Sequence, residues 1–198
     1  ILPQQQTLRE LLDAHASALV VQPEQLSSLL PLLTTPPRMV VTDSQAFSAV
    51  AEIVPETVPL TSFSVLLARY KGYLKTAVEG VRALQLLQDG ARILIAEGCT
   101  HHRQCNDIGT VKLPRAIRKM TGKNFSLEYC SGGTFPTDLR GYDLVIHCGG
   151  CMRTEREIQW RMRTALSQGV PFTNYGVTLA ACSGILERVL MHDTLLSE

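Results

Sequence analysis

The chain has 198 residues, 45% of them apolar and 19% charged, with a net charge of +1 at neutral pH. That balance excludes wholesale disorder and lacks the basic excess a nucleic-acid partner usually demands. The longest apolar runs, such as 18–21 and 93–96, fall far short of the ~20 residues that span a bilayer, and no basic-then-apolar leader opens the chain, so neither a membrane partner nor a signal peptide is expected.

The first half predicts short alternating elements: a helix over 8–16, an extended stretch over 18–22, a helix over 23–30, an extended stretch over 38–42 and a helix over 44–50. These read as two small αβ units. Pro55 and Pro59 then open a loop before a short helix over 64–69. A unit of ~70 residues without disulfides buries little apolar surface, so this half is expected to pair with a second copy of the chain, giving a homodimer.

The second half carries stronger signals. Leu74, Ala77, Val78, Val81 and Leu84 recur at helical spacing, and Asp89-Gly90 ends that helix. Buried strands are expected over 92–96, 142–147 and 170–174, with a weaker one over 125–129. Pro114 suits a first helical turn, Gly122 closes that helix, and Thr154 with Glu157 forms a capping box ahead of Ile158, Met162, Ala165 and Leu166. The predicted fold is α/β: a small αβ domain followed by an open, mostly parallel sheet with helices on both faces.

Ligands of such sheets collect beyond the carboxyl ends of the strands, where this chain places its soft and polar residues. One strand runs into Glu97-Gly98-Cys99-Thr100-His101-His102, another into His147-Cys148-Gly149-Gly150-Cys151, and a third into Asn174-Tyr175-Gly176. Thiolates at Cys99, Cys148 and Cys151 suit an iron–sulfur cluster with one iron left open, and the two glycines let backbone approach inorganic sulfide. His147, His101 or Cys105 is available as the fourth ligand or as an outer partner. The same donors suit a structural zinc, and a thiol-redox pair at Cys148 and Cys151 is the third reading. All three belong in a reducing intracellular compartment, because six cysteines are too few for a disulfide scaffold of this length.

Other conspicuous residues read as structural. Cys130 and Cys182 fit as small buried hydrophobes, and His15 and His192 as isolated helical histidines. The basic sets Lys112, Arg115, Arg118, Lys119, Lys123 and Arg153, Arg156, Arg161, Arg163 read as solvated helix faces. No phosphate loop occurs, which argues against nucleotide hydrolysis by this chain.

The segment 96–102, Asn106-Asp107-Ile108-Gly109 with Lys112-Leu113-Pro114-Arg115, and residues 144–151 resemble HydF, the FeFe-hydrogenase maturation scaffold family. Residues 41–47, 59–72, 171–176 and 184–188 agree as well, so the resemblance covers roughly the whole chain. Members of that family carry a GTPase domain, a dimerisation domain and a domain holding a 4Fe-4S cluster. This chain resembles the last two, which implies a dimerisation domain over 1–72 and a cluster-binding domain over 73–198. The implied role is that of a carrier and not an enzyme, taking a diiron precursor made with radical-SAM maturases to apo-FeFe-hydrogenase in the cytoplasm or a plastid stroma. By position Cys99, Cys148 and Cys151 match the family's cluster cysteines, and His101 and His147 its motif histidines. Arg103-Gln104-Cys105 departs from the pattern, since relatives tend to carry an acidic residue near position 105.

Overall fold

The computed structural model describes residues 2–98 and 107–191. Helix α1 (Leu2–Asp13) starts earlier than the expected 8–16 and buries no residue. The extended stretch expected over 18–22 pairs with no strand; Leu19 and Val20 are exposed, so their β propensity has no sheet surface to pack on. Helix α2 (Pro23–Leu29) opens on proline, with the Gln22 amide donating to Gln25 Oε1 at 3.1 Å, and passes into a 3₁₀ turn, Leu30–Leu32.

Strand β1 (Val40–Thr42), helix α3 (Phe47–Ile53) and strand β2 (Leu60–Ser62) make one parallel βαβ unit, with Val40 opposite Leu60. Periodicity did not announce β2, because three residues are too few to show alternation. The Pro59 carbonyl before it already accepts the Val40 amide at 2.8 Å. Helix α4 (Phe63–Tyr70) follows without a loop, its first turn capped by Ser62, which accepts from the Val65 amide.

The second half contains α5 (Leu74–Leu86), β3 (Arg92–Glu97), a π-helical turn (Ile108–Lys112), α6 (Leu113–Thr121), β4 (Ser126–Ser131), β5 (Leu144–His147), α7 (Glu155–Leu166), β6 (Phe172–Asn174), α8 (Tyr175–Cys182) and α9 (Leu186–Leu190). The four strands pair in the order β4-β3-β5-β6, all parallel. The continuous apolar runs of β3 and β5 form the centre, where both faces are covered; the weaker β4 forms an edge. Leu94, Ala96 and Val145 pack on one face with Ile158, Met162 and Ala165 of α7. Ile93, Ile95, Leu144 and Ile146 pack on the other with Leu113 and Ile117 of α6 and Leu179 of α8. The fold is thus the expected α/β arrangement, with helices on both faces of a parallel sheet.

The first half does not stand apart with a small core of its own. Phe47, Val50, Leu60 and Val65 join Leu74, Val78, Leu94, Phe172 and Val177 in one cluster, and Arg188 of α9 donates to the carbonyls of Ala51, Val54 and Pro55. Part of the first half's apolar surface is therefore packed against the chain's own second half, while Leu12, Leu19, Val20, Leu32, Met39 and Tyr70 stay exposed. Among the described residues no helix is long and apolar enough to cross a membrane.

Candidate metal centre

The chain leaves β3 toward β4 on one side and leaves β5 toward β6 on the other. The carboxyl ends of β3 and β5 therefore flank the point where strand order reverses, and crossover connections leave a crevice there. Ala96 lies opposite His147, so β3 ends at Glu97-Gly98 beside His147-Cys148 of β5. The expected residues Cys99, His101 and Cys105 lie outside the described residues.

Cys148 Sγ accepts from the amide of Gly98 at 3.0 Å and from that of Gly150 at 3.4 Å. Gly150 sits at φ +65°, and a Cβ there would lie 2.7 Å from Ile158 Cδ1, so glycine is required for the turn that aims its N–H at the sulfur. Two N–H donors on one sulfur favour its anionic form. Helix α7 begins four residues after Cys151, with Thr154 Oγ1 accepting the Glu157 amide at 3.2 Å, and its positive end adds to that preference. The Arg153 side chain bonds the Gly98 carbonyl, tying the loop after β5 to the loop after β3.

His147 is fully buried. Its Nε2 lies 3.1 Å from Arg161 Nη1, which can only donate, so Nδ1 carries the proton and donates to the Cys148 carbonyl at 2.7 Å. Burial pushes the imidazole pKa down to about 4, and the nearby Arg161, Lys71 and Arg153 act in the same direction, against the bond to Cys148. Both ring nitrogens are thus engaged in orienting the turn at Cys148; ligation by His147 would cost one of these bonds.

Arg161, expected on a solvated face, is fully buried. Its guanidinium reaches Glu157 at 2.9 Å and the Gly132 carbonyl at 2.7 Å, and lies 5.0 Å from the centre of the Phe135 ring. Glu157 spends its carboxylate on this contact, so of the expected capping box the Thr154 half is what forms here. Lys71 is the second buried cation that sequence reasoning missed, 5% exposed, its Nζ bonded to the carbonyls of Gly150 and Arg153. A lysine or arginine in a helical stretch gives no signal of burial, because burial depends on what the rest of the chain places over it. The expected small hydrophobes Cys130 and Cys182 are free and partly buried, and burial pushes the Cys182 thiol up to about 11. Among the described residues no three His, Cys, Asp or Glu side chains gather closely enough to hold a metal ion, so any such site must draw on residues beyond Cys148 and Cys151.

Residues 75–192 match the family profile described as the hydrogen maturase F tetramerization domain, and residues 1–72 that of the hydrogen maturase F dimerization domain. The chain belongs to the hydrogen maturase F family. No curated protein matches it closely enough to add a relative. The family is the HydF family whose motifs were read above, and the tetramerization match goes beyond the homodimer expected from sequence. Within this hydrogen maturase F chain, the dimerization match supplies Lys71 and the tetramerization match supplies the Cys-Gly-Gly-Cys loop that Lys71 holds.

Proposed function

We propose that this chain is a carrier in FeFe-hydrogenase maturation, holding a 4Fe-4S cluster on Cys99, Cys148 and Cys151 and delivering a diiron precursor to apo-hydrogenase. The observation that carries the reading is the setting of Cys148, whose sulfur accepts two backbone amides at the strand-order reversal, beside a buried ammonium. A thiol serving only as a small hydrophobe would need none of these. The donor set fits a cluster: soft sulfur ligands, a glycine turn that aims a backbone N–H at sulfur, and surrounding positive charge for an anionic group. When bound, the cluster supplies an iron with an exchangeable position to which cargo can attach.

The chain's own residues do the holding. Gly98 and Gly150 donate to Cys148, Arg153 ties the two loops together, and His147 with Arg161 fixes the Cys148 carbonyl. His101 and Cys105 remain the candidates for the fourth position, with His147 better placed to support the turn. Residues 1–72 serve dimerisation, the cluster-binding part spans 73–198, and the family matches support assembly beyond the dimer. Radical-SAM maturases supply the precursor, and no residue here is assigned a catalytic step.

The test is anaerobic reconstitution with iron and sulfide, followed by iron analysis and electron paramagnetic resonance of the reduced protein. A 4Fe-4S signal lost in Cys99→Ala, Cys148→Ala and Cys151→Ala supports the carrier. One tightly bound zinc per chain, or a reversible Cys148–Cys151 disulfide with no cluster, would replace it by a zinc-stabilised or thiol-redox domain.

A further inference from the structure

Helix α4 belongs to the dimerization match, yet one of its faces lies on the cysteine loop of the other part. A Cβ on Gly149 would stand 3.2 Å from Ser64 Oγ and 3.6 Å from Leu67 Cδ1. One further turn along the same face comes Lys71, the residue that ends α4. Its Nζ donates to the Gly150 and Arg153 carbonyls, the latter at 2.7 Å, while its own carbonyl accepts from Gln159 Nε2 of α7. The residue is thus clamped from both ends across the two parts of the chain.

A lysine at a helix carboxyl end normally stays in water, where it offsets the dipole at little cost. Lys71 is instead buried, and a buried ammonium is costly unless charge compensates it. Two carbonyls satisfy hydrogen bonds but carry no net charge, and among the described residues no carboxylate lies within ion-pair distance of Nζ. Burial lowers its pKa, and the groups that oppose this are Cys151, Cys148 and Glu155, with both cysteines acting more strongly than the carboxylate. The loop that Nζ holds is the one carrying Cys148 and Cys151, where sulfur ligands of an anionic cluster would supply the compensating charge.

We propose that Lys71 is a positioning residue of the cysteine site, a counter-cation delivered by the 1–72 part that shapes the Cys148–Cys151 loop and offsets the charge of its sulfur ligands. The proposal rests on the reading of Cys148 and Cys151 as cluster ligands. It makes the dimerisation part a component of the metal centre, so that a shift of α4 changes the electrostatics of that centre.

The experiment compares the reconstituted full chain with its Lys71→Met, Lys71→Arg and Ser64→Ala variants, reading the cluster's reduction midpoint by paramagnetic resonance. In Lys71→Met the reduced-to-oxidised ratio at fixed potential should fall about tenfold, equivalent to a midpoint about 59 mV lower. Lys71→Arg should keep the ratio within about twofold, and Ser64→Ala, which alters the same face without altering charge, should not move it. An unchanged midpoint in a Lys71→Met protein that forms the cluster overturns the proposal and leaves the carrier reading standing. If Lys71→Met is insoluble, Lys71→Gln, which keeps a donor without the charge, replaces it under the same criteria. If wild type forms no cluster, the carrier reading fails and the proposal falls with it.

Discussion

Replacing Arg161 by methionine keeps most of the aliphatic stem but removes a guanidinium that the fold has sealed from water. The loss falls on two buried acceptors, the Gly132 carbonyl and His147 Nε2, each costing about 1–3 kcal/mol when left without a donor. Glu157, whose side chain is 34% exposed, can turn to solvent and adds less than ~1 kcal/mol. These add to about 2–7 kcal/mol, a span that includes the ~3–5 kcal/mol typical of breaking a buried charged pair. Arg161→Lys retains the charge but reaches fewer acceptors, for a loss of about 2 kcal/mol, and Glu157→Gln should cost under ~1 kcal/mol. Urea unfolding followed by circular dichroism, at one protomer concentration because assembly shifts apparent stability, gives the ranking. An Arg161→Met protein within ~0.5 kcal/mol of wild type, or a Glu157→Gln protein less stable than it, refutes the reasoning.

His147 carries a pH dependence of definite sign: its folded pKa of about 4 lies below the ordinary 6.5, so as pH falls the unfolded chain takes up the proton first. The stabilisation, about 3 kcal/mol, is complete above pH ~6.5 and is lost toward pH ~4; denaturant midpoints should show a steeper acid loss for wild type than for His147→Gln, and equal slopes would contradict the assignment. In Gly80→Ala the new Cβ would stand 2.1 Å from the Phe172 carbonyl oxygen, so the helix-propensity gain of ~1 kcal/mol is overwhelmed and a loss of at least ~3 kcal/mol is expected. A melting temperature equal to wild type would mean that α5 does not sit on β6 as described. Cys182, its thiol raised to about 11, should alkylate on the order of 100-fold more slowly at pH ~8 than an exposed cysteine, and rapid labelling would show that the end of α8 is not packed as described.

The strands that position the site were legible because β3 and β5 are continuous apolar runs broken abruptly by Glu97-Gly98 and His147-Cys148, a pattern that exposed strands do not produce. The glycine turn after Cys148 was legible for a similar reason, since few other roles require two adjacent glycines between cysteines. What stayed hidden depended on contacts between distant residues. Residues 18–22 have β-like side chains but no partner strand, whereas β2 has one in β1 and almost no pattern of its own. Lys71 and Arg161 are buried because Gly150, Arg153, Gly132 and His147 present acceptors to them, 29 or more positions away for Gly132 and Lys71's partners and 14 for His147. Charge type alone could not distinguish them from Arg156 or Arg163 on the outer face.

The cluster that joins Phe47, Val50 and Val65 to Leu94, Val145 and Phe172 gives the chain a single cooperative unit across the junction of its two family matches. Amides of α4 and β5 should therefore exchange with deuterium through the same opening event, and unfolding should show one transition. The junction near residue 73 is thus bridged by packing: an assembly partner that grips the first part grips the sheet as well, and transplanting either part would expose the surface it shares with the other.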